Sequence, residues 1–328
     1  MLAVVCPGQG SQTPGMLSPW LELPGTTDLI DTFSAAAGTD VALHGTMSDA
    51  DTIRDTAVAQ PLIVSASLVA LRTILDGRAT TDVVDVTAGH SVGELSAAAV
   101  AGVLDDAGAV GLVSHRARAM ADAAAAAPSG MSAVVGGDPD EVLAAVEAAG
   151  LFPANVNGGG QTVVAGATDR LAALADDPPA RARVIPLPVA GAFHTPYMDA
   201  ARAAFEKVST TWLATDPRLP LLSNADGAAY STLGAGAHGQ GTSADVLTRL
   251  TAQVTAPVRW DLCQATLADL GVTGLLELAP GGVLTGLAKR SLKGVESVAV
   301  KSPDDVEAAR DLIARHSRAA GASAGAEQ

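Results

Sequence analysis

Cysteine, aromatic side chains and positive charge are all scarce in this sequence. Its two cysteines, Cys6 and Cys263, sit among apolar neighbours. That rules against a disulfide framework or a cysteine-based zinc site, suits a reducing cytoplasm, and leaves no metal to be expected. Aromatic residues make up 3% of the chain, so stacking platforms for single-stranded nucleic acid are few. Lys and Arg number 20 against 35 Asp and Glu, a formal net charge of −15, which is the wrong sign for a broad nucleic-acid surface. Long apolar runs are missing as well. Stretches such as LSAAAVAGVL, Leu95 to Leu104, fall short of the roughly 20 residues that a membrane helix needs. No basic segment precedes the first apolar run, and Pro7 and Gly8 interrupt it, against a secretory signal. The expectation is a soluble cytoplasmic protein with buried thiols that binds neither nucleic acid nor membrane. Hydrophobic residues, by contrast, make up 48% of the 328, ample for one large core or two smaller ones.

The pattern along the chain is α/β. From Met1 to about Ala127 an apolar strand, a Gly-rich loop and helices lead to a second apolar strand, Val83 to Thr87, which ends in a turn. The segments GELSAAAVAGVL and DAGAVGLVSHRARAMADAAAAA then read as helices, giving a layout with a central parallel sheet. Residues 128–187 form a unit of their own. MSAVVGG, FPANVN, QTVVAG and ARVIPL read as strands, with helices over DPDEVLAAVEAAG and TDRLAALAD, the first capped by Asp138 with Pro139 at its first position. The order βαββαβ is that of an inserted ferredoxin-like subdomain. The larger domain, 1–127, resumes over 188–316 with a helix from Asp199 to Leu213. A Gly- and Ser-rich loop is expected over 225–243 and a disordered tail over 317–328.

Two motifs suggest chemistry. PGQG, residues 7–10, sits after the first strand, but Thr13 stands where the dinucleotide fingerprint needs its third glycine. No Lys-Ser or Lys-Thr pair follows at P-loop spacing either, so a phosphate cradle does not explain Gln9. GHSVG, Gly89 to Gly93, lies between a strand and a helix. In that setting G-x-S-x-G marks a nucleophile elbow with Ser91 at its apex, although the same residues suit a serine capping a helix. A serine nucleophile needs a base, and six histidines are available. His44 reads as loop, His115 as helix, His238 as part of the Gly-rich loop and His316 as near the tail, while His90 adjoins Ser91 and points away. Elimination leaves His194, in AGAFHTP; a purely structural histidine would look the same. The triplet Lys289, Arg290 and Lys293 precedes Gly294 and reads either as a helix C-terminus or as a positive docking patch.

Taken together, PGQGSQ, GHSVGE, NVNGGGQ (155–161), GAFHT (191–195) and QVTAPVRW (253–260) resemble the malonyl-CoA:acyl carrier protein transacylases, in the family's order and from Leu2 to about Ala314. The resemblance implies an α/β-hydrolase-like core with a ferredoxin-like insert. It also implies transfer of malonyl from coenzyme A to the phosphopantetheine thiol of an acyl carrier protein through a malonyl-serine ester. In its terms Ser91 is the nucleophile and His194 the base, held by the Gln253 backbone carbonyl, while Gln9 and the Val92 N–H form the oxyanion hole. Arg116 grips the malonate carboxylate, Phe193 disfavours a methyl branch, and Asn157 and His90 lie by the substrate. No cofactor is implied, and a monomer is expected. Lys289, Arg290 and Lys293 become candidates for docking an acidic carrier. Two other classes stay open at this point. One is a serine hydrolase, with Asp176 or Asp177 as its acid; the other is a carrier-binding scaffold without a reactive serine.

Overall fold

The computed structural model describes residues 1–189, 191–230 and 241–318. His238, most of the expected Gly-rich loop and the tail from 319 lie outside the described residues. The strands are β1 (Leu2–Cys6), β2 (Val86–Gly89), β3 (Ser129–Gly136), β4 (Phe152–Gly158), β5 (Gln161–Ala167), β6 (Ala182–Pro186), β7 (Val258–Arg259), β8 (Gly274–Glu277) and β9 (Glu296–Ala299).

Every residue of β1 is buried. Leu2, Val4 and Cys6 pack into one hydrophobic cluster, and Ala3 and Val5 into another. A strand with period-two side chains and both faces covered reads as an unbroken apolar run, as the strands of a parallel sheet do. The sheet is parallel and ordered β2-β1-β8-β9. Its register sets Cys6 beside Gly89, so the loops carrying Gln9 and Ser91 leave the same end of neighbouring strands. That end is where open α/β sheets place their sites.

The second sheet runs β6-β3-β5-β4-β7, with β3 to β6 antiparallel and β7 parallel to β4. With helices Pro139–Ala148 and Thr168–Asp176 its elements follow the βαββαβ order read from the sequence. Asp138 accepts from the N–H groups of Asp140 and Glu141, with Pro139 at the first helical position. Val134, Val142, Val146, Leu151, Val164, Leu171 and Leu174 give this unit a core separate from the main one.

Helix Thr56–Leu75 is long and apolar enough to cross a membrane by length and composition, with mean hydropathy 1.7, yet 83% of that window is buried inside the protein. It packs against helix Asp106–Ala125 as a core helix.

Three expected boundaries shift. Strand β2 starts at Val86 rather than Val83, because Thr80–Asp82 form a 3₁₀ turn and the Asp85 carboxylate takes up the Leu2 N–H at 2.7 Å before the ladder begins. His44 lies in helix Val41–Thr46, capped by Asp40, not in a loop. The helix from Asp199 ends at Ser209, short of Leu213. There the chain tightens into i→i+3 bonds from Thr211 and Trp212, and the Ser209 hydroxyl turns to Thr251 at 2.7 Å.

Candidate active site

Between β2 and helix Gly93–Val100 the chain turns sharply through Ser91, whose φ is +55°. A non-glycine residue in the left-handed region carries strain, and its surroundings must hold it there. The Ser91 N–H donates to Asn224 Oδ1 at 2.8 Å, and the Ser91 carbonyl accepts from Gln253 Nε2 at 3.2 Å. Both motif glycines are sterically required. A Cβ on Gly89 would sit 2.0 Å from the Gly93 carbonyl carbon, and one on Gly93 would sit 2.2 Å from the Cys6 oxygen.

Ser91 Oγ lies 2.7 Å from His194 Nε2, and His194 Nδ1 lies 2.8 Å from the Gln253 carbonyl oxygen. A carbonyl can only accept, so Nδ1 carries the proton and Nε2 is left to accept from the serine hydroxyl. Burial, followed by the Arg116 charge, pushes the imidazole down to about 3. The resting histidine is therefore neutral and able to take a proton. Where a serine hydrolase would set a carboxylate, this chain sets a backbone carbonyl. Asp176 and Asp177 are exposed at the end of helix Thr168–Asp176. The other described histidines are engaged elsewhere. His44 bonds Ser48, His115 meets Trp212 edge-on, and His316 bonds Thr273 and Glu296. His90 turns from Ser91 toward Asn157 Oδ1, at 2.8 Å, and the edge of Trp260.

Arg116 has no exposed surface. Nη1 donates to Gln60 Oε1 and Nη2 to Gln253 Oε1, each at 2.7 Å, with Nη2 also 3.4 Å from Ser91 Oγ. Its Nε has no partner, and among the described residues no carboxylate lies within ion-pair distance. Desolvation pushes the guanidinium down to about 10. A buried cation that meets only neutral acceptors beside the Ser91 hydroxyl is poised for an anion. Arg118, indistinguishable from it in sequence, donates instead to the Ala37 carbonyl at 2.5 Å.

The PGQG loop folds against the elbow, and a Cβ on Gly8 would sit 2.8 Å from the His90 oxygen. The Gln9 side chain is spoken for: Nε2 donates to Thr56 Oγ1 at 3.1 Å and Oε1 accepts from Gln60 Nε2 at 3.4 Å. Its backbone N–H, like that of Val92, has no hydrogen-bond partner among the described residues. Around the dyad is a recess of about 80 Å³ lined by residues including Gln60, Ser91, Met120, Met131, Phe193 and His194. It shares Gln9, His90, Asn155, Leu187 and Val189 with a cleft of about 440 Å³ that reaches Val283, Leu284 and Leu287. Phe193 lines the recess, whereas Asn157 lines only the outer cleft. Among the described residues no cluster of His, Cys, Asp or Glu is arranged to hold a metal ion.

The profile of the acyl transferase domain family matches residues 3–305. The malonyl CoA-acyl carrier protein transacylase of Mycobacterium tuberculosis H37Rv is 48% identical over 317 residues, spanning 95% of this chain and all of that one. The chain belongs to this family. The crystal structure of the M. tuberculosis transacylase superposes with a TM-score of 0.86 at 48% identity, covering 95% of this chain and 99% of the other. A malonyl-transacylase solved in complex with its type II PKS acyl-carrier protein also gives 0.86, at 27% identity over 94% of this chain and 99% of that one.

Around the Ser91–His194 pair stand residues that the motifs did not single out. Glu94 is buried, with its carboxyl pushed up to about 8 by desolvation against the pull of the Asn224 N–H and the Arg116 charge. Its one sequence signal was a lone acid opening an apolar helix. Gln60 lies in the apolar run AVAQPLIV, and Asn224 carried no signal. Lys289 and Arg290 close helix Val283–Ser291, and Lys293 follows it. All three are exposed, while Val283, Leu284 and Leu287 of that helix line the cleft. Glu277 fixes the helix by accepting the Leu284 and Thr285 N–H groups at 2.9 and 2.8 Å.

Proposed function

We propose that this chain transfers malonyl from malonyl-CoA to the phosphopantetheine thiol of an acyl carrier protein by a ping-pong route. His194 Nε2 takes the proton as Ser91 Oγ adds to the thioester carbonyl. The carbon–sulfur bond breaks, His194 returns the proton to the coenzyme A thiolate, and a malonyl-serine ester remains. The carrier thiol then gives its proton to His194 and attacks the ester, and the serine recovers the proton as it leaves. The tetrahedral oxygen is held by the Gln9 and Val92 N–H groups, with each such donor worth about 3–4 kcal/mol. Since the Gln9 amide is engaged with Thr56 and Gln60, its part is played by the backbone.

The observation that carries the reading is Arg116, a fully buried guanidinium bonded to Gln60 and Gln253 and unpaired with any carboxylate among the described residues. It provides a fork for the free carboxylate of malonate and so selects it over acetyl. Phe193 in the recess leaves no room for a methyl branch on the acyl α-carbon. His90 and Asn157 shape the wall of the cleft along which the thioester arm lies. Lys289, Arg290 and Lys293 receive an acidic carrier. On this reading the core over 1–127 and 188–316 is α/β-hydrolase-like, residues 128–187 are a ferredoxin-like subdomain, and a cytoplasmic monomer needs no metal or redox cofactor. The test is incubation with malonyl-CoA and holo acyl carrier protein. Malonyl-carrier formation that requires both is expected; free malonate without carrier acylation would overturn the transfer.

A further inference from the structure

Glu94, 4% exposed in the first turn of helix Gly93–Val100, takes no part in the acyl-transfer steps. A buried carboxylate is costly unless hydrogen-bonded, and this one is engaged at both oxygens. Oε1 accepts the Asn224 N–H at 2.7 Å, and Oε2 accepts from Gln253 Nε2. At its other end the Gln253 side chain accepts from Arg116 Nη2 at 2.7 Å. An amide has one donating and one accepting side, a guanidinium only donates, and a carboxylate only accepts. The Gln253 amide therefore fits between Glu94 and Arg116 in one orientation only.

We propose that Glu94 is a positioning residue for acyl selection, which fixes the Gln253 amide and thereby aims Arg116 at the substrate carboxylate. The proposal rests on Arg116 being the malonate ligand. The same carboxylate steadies the nucleophile, since Asn224 holds the Ser91 N–H and Gln253 Nε2 also reaches the Ser91 carbonyl. In Glu94→Gln the Asn224 N–H claims the remaining oxygen, so the new NH₂ meets the NH₂ of Gln253. Turning the Gln253 amide over relieves that clash and presents an NH₂ to Arg116, which then loses its acceptor.

The experiment compares kcat/KM for malonyl-CoA and acetyl-CoA at about pH 9, above the raised Glu94 carboxyl, so that the carboxylate form predominates. The proteins are wild type, Arg116→Met, Glu94→Gln, Gln253→Leu and the double variant Glu94→Gln/Gln253→Leu. Glu94→Gln is expected to lower the malonyl-to-acetyl ratio by about tenfold or more, as loss of a charge-assisted hydrogen bond implies. In the Gln253→Leu background, where the bridge to Arg116 is already gone, Glu94→Gln is expected to lower the ratio no further. Equal loss for both substrates, or a further drop of the ratio in a folded double variant, overturns the proposal. Where Glu94→Gln fails to fold, Gln253→Leu keeps the main-chain carbonyl for His194 and removes the bridge. An unchanged ratio in that variant is equally fatal. An Arg116→Met protein that still prefers malonyl would instead overturn the reading of Arg116 itself.

Discussion

Replacing Arg116 by Met removes the guanidinium while keeping much of its volume, and the structure sets what each substrate should lose. Deleting one partner of a buried, hydrogen-bonded ion pair costs about 3–5 kcal/mol. At about 1.4 kcal/mol per decade, kcat/KM for malonyl-CoA should fall on the order of a hundred- to a few thousand-fold. Acetyl-CoA offers no carboxylate and should change by less than about tenfold. Stability should move far less. Desolvation lowers Arg116 from 12.5 to about 10, a shift equivalent to about 3 kcal/mol against burying the charge. Met relieves that cost, but it strands Gln60 Oε1 and Gln253 Oε1, at about 1–3 kcal/mol each. The two effects largely cancel, so the melting temperature should shift by only a few degrees. Steady-state coenzyme A release with each thioester, alongside thermal melts, measures both quantities. An equal loss for malonyl and acetyl in a folded protein would refute the reasoning.

The dyad makes a pH prediction whose sign follows from His194. Its imidazole is held down to about 3 from 6.5, so the unfolded chain takes up the proton first as pH falls. The contribution is complete above 6.5 and is lost toward 3, about 2 kcal/mol by pH 5. Urea melts at pH 7 and 5 should show wild type losing that much more than His194→Gln; parallel losses would contradict it. Gly93→Ala drives a Cβ to 2.2 Å from the Cys6 oxygen, so its Ser91 should not acylate and its stability should drop by about 1–3 kcal/mol. Full activity would show that the elbow tolerates what the backbone contact forbids. The double change Lys289→Glu/Arg290→Glu should raise KM for the carrier by roughly tenfold and leave that for malonyl-CoA alone. Equal effects on both would remove the carrier-docking role.

Much of the site was legible because its geometry depends on local pattern. G-x-S-x-G between strand and helix announces the elbow, since only glycine fits beside Cys6 and at the Gly89 crossing. The βαββαβ unit was readable for a similar reason, with Asp138 and Pro139 opening a helix between alternating strands. His194 came only by elimination. Its partner is a backbone carbonyl, which leaves no side-chain signature, so nothing in the residues alone distinguished Gln253. Arg116 and Arg118 lie two positions apart on one helix, and only burial separates the guanidinium between two glutamines from the one tied to Ala37. Glu94, Gln60 and Asn224 stayed hidden because their roles are made by contacts across long sequence separations, Asn224 reaching back 135 residues to Gly89 and 130 to Glu94. The early boundary of β2 failed for a local reason: Val83 and Val84 are apolar and buried, yet they lie in a turn.

The central claim is that Ser91 carries the malonyl group between the two thiols. Intact-protein mass after brief mixing with malonyl-CoA tests it most directly. The account predicts a malonyl increment on wild type, none on Ser91→Ala, and its disappearance with matching gain on the carrier when holo acyl carrier protein is added. An increment that persists in Ser91→Ala, or a carrier that becomes malonylated while the folded wild type never does, would contradict it.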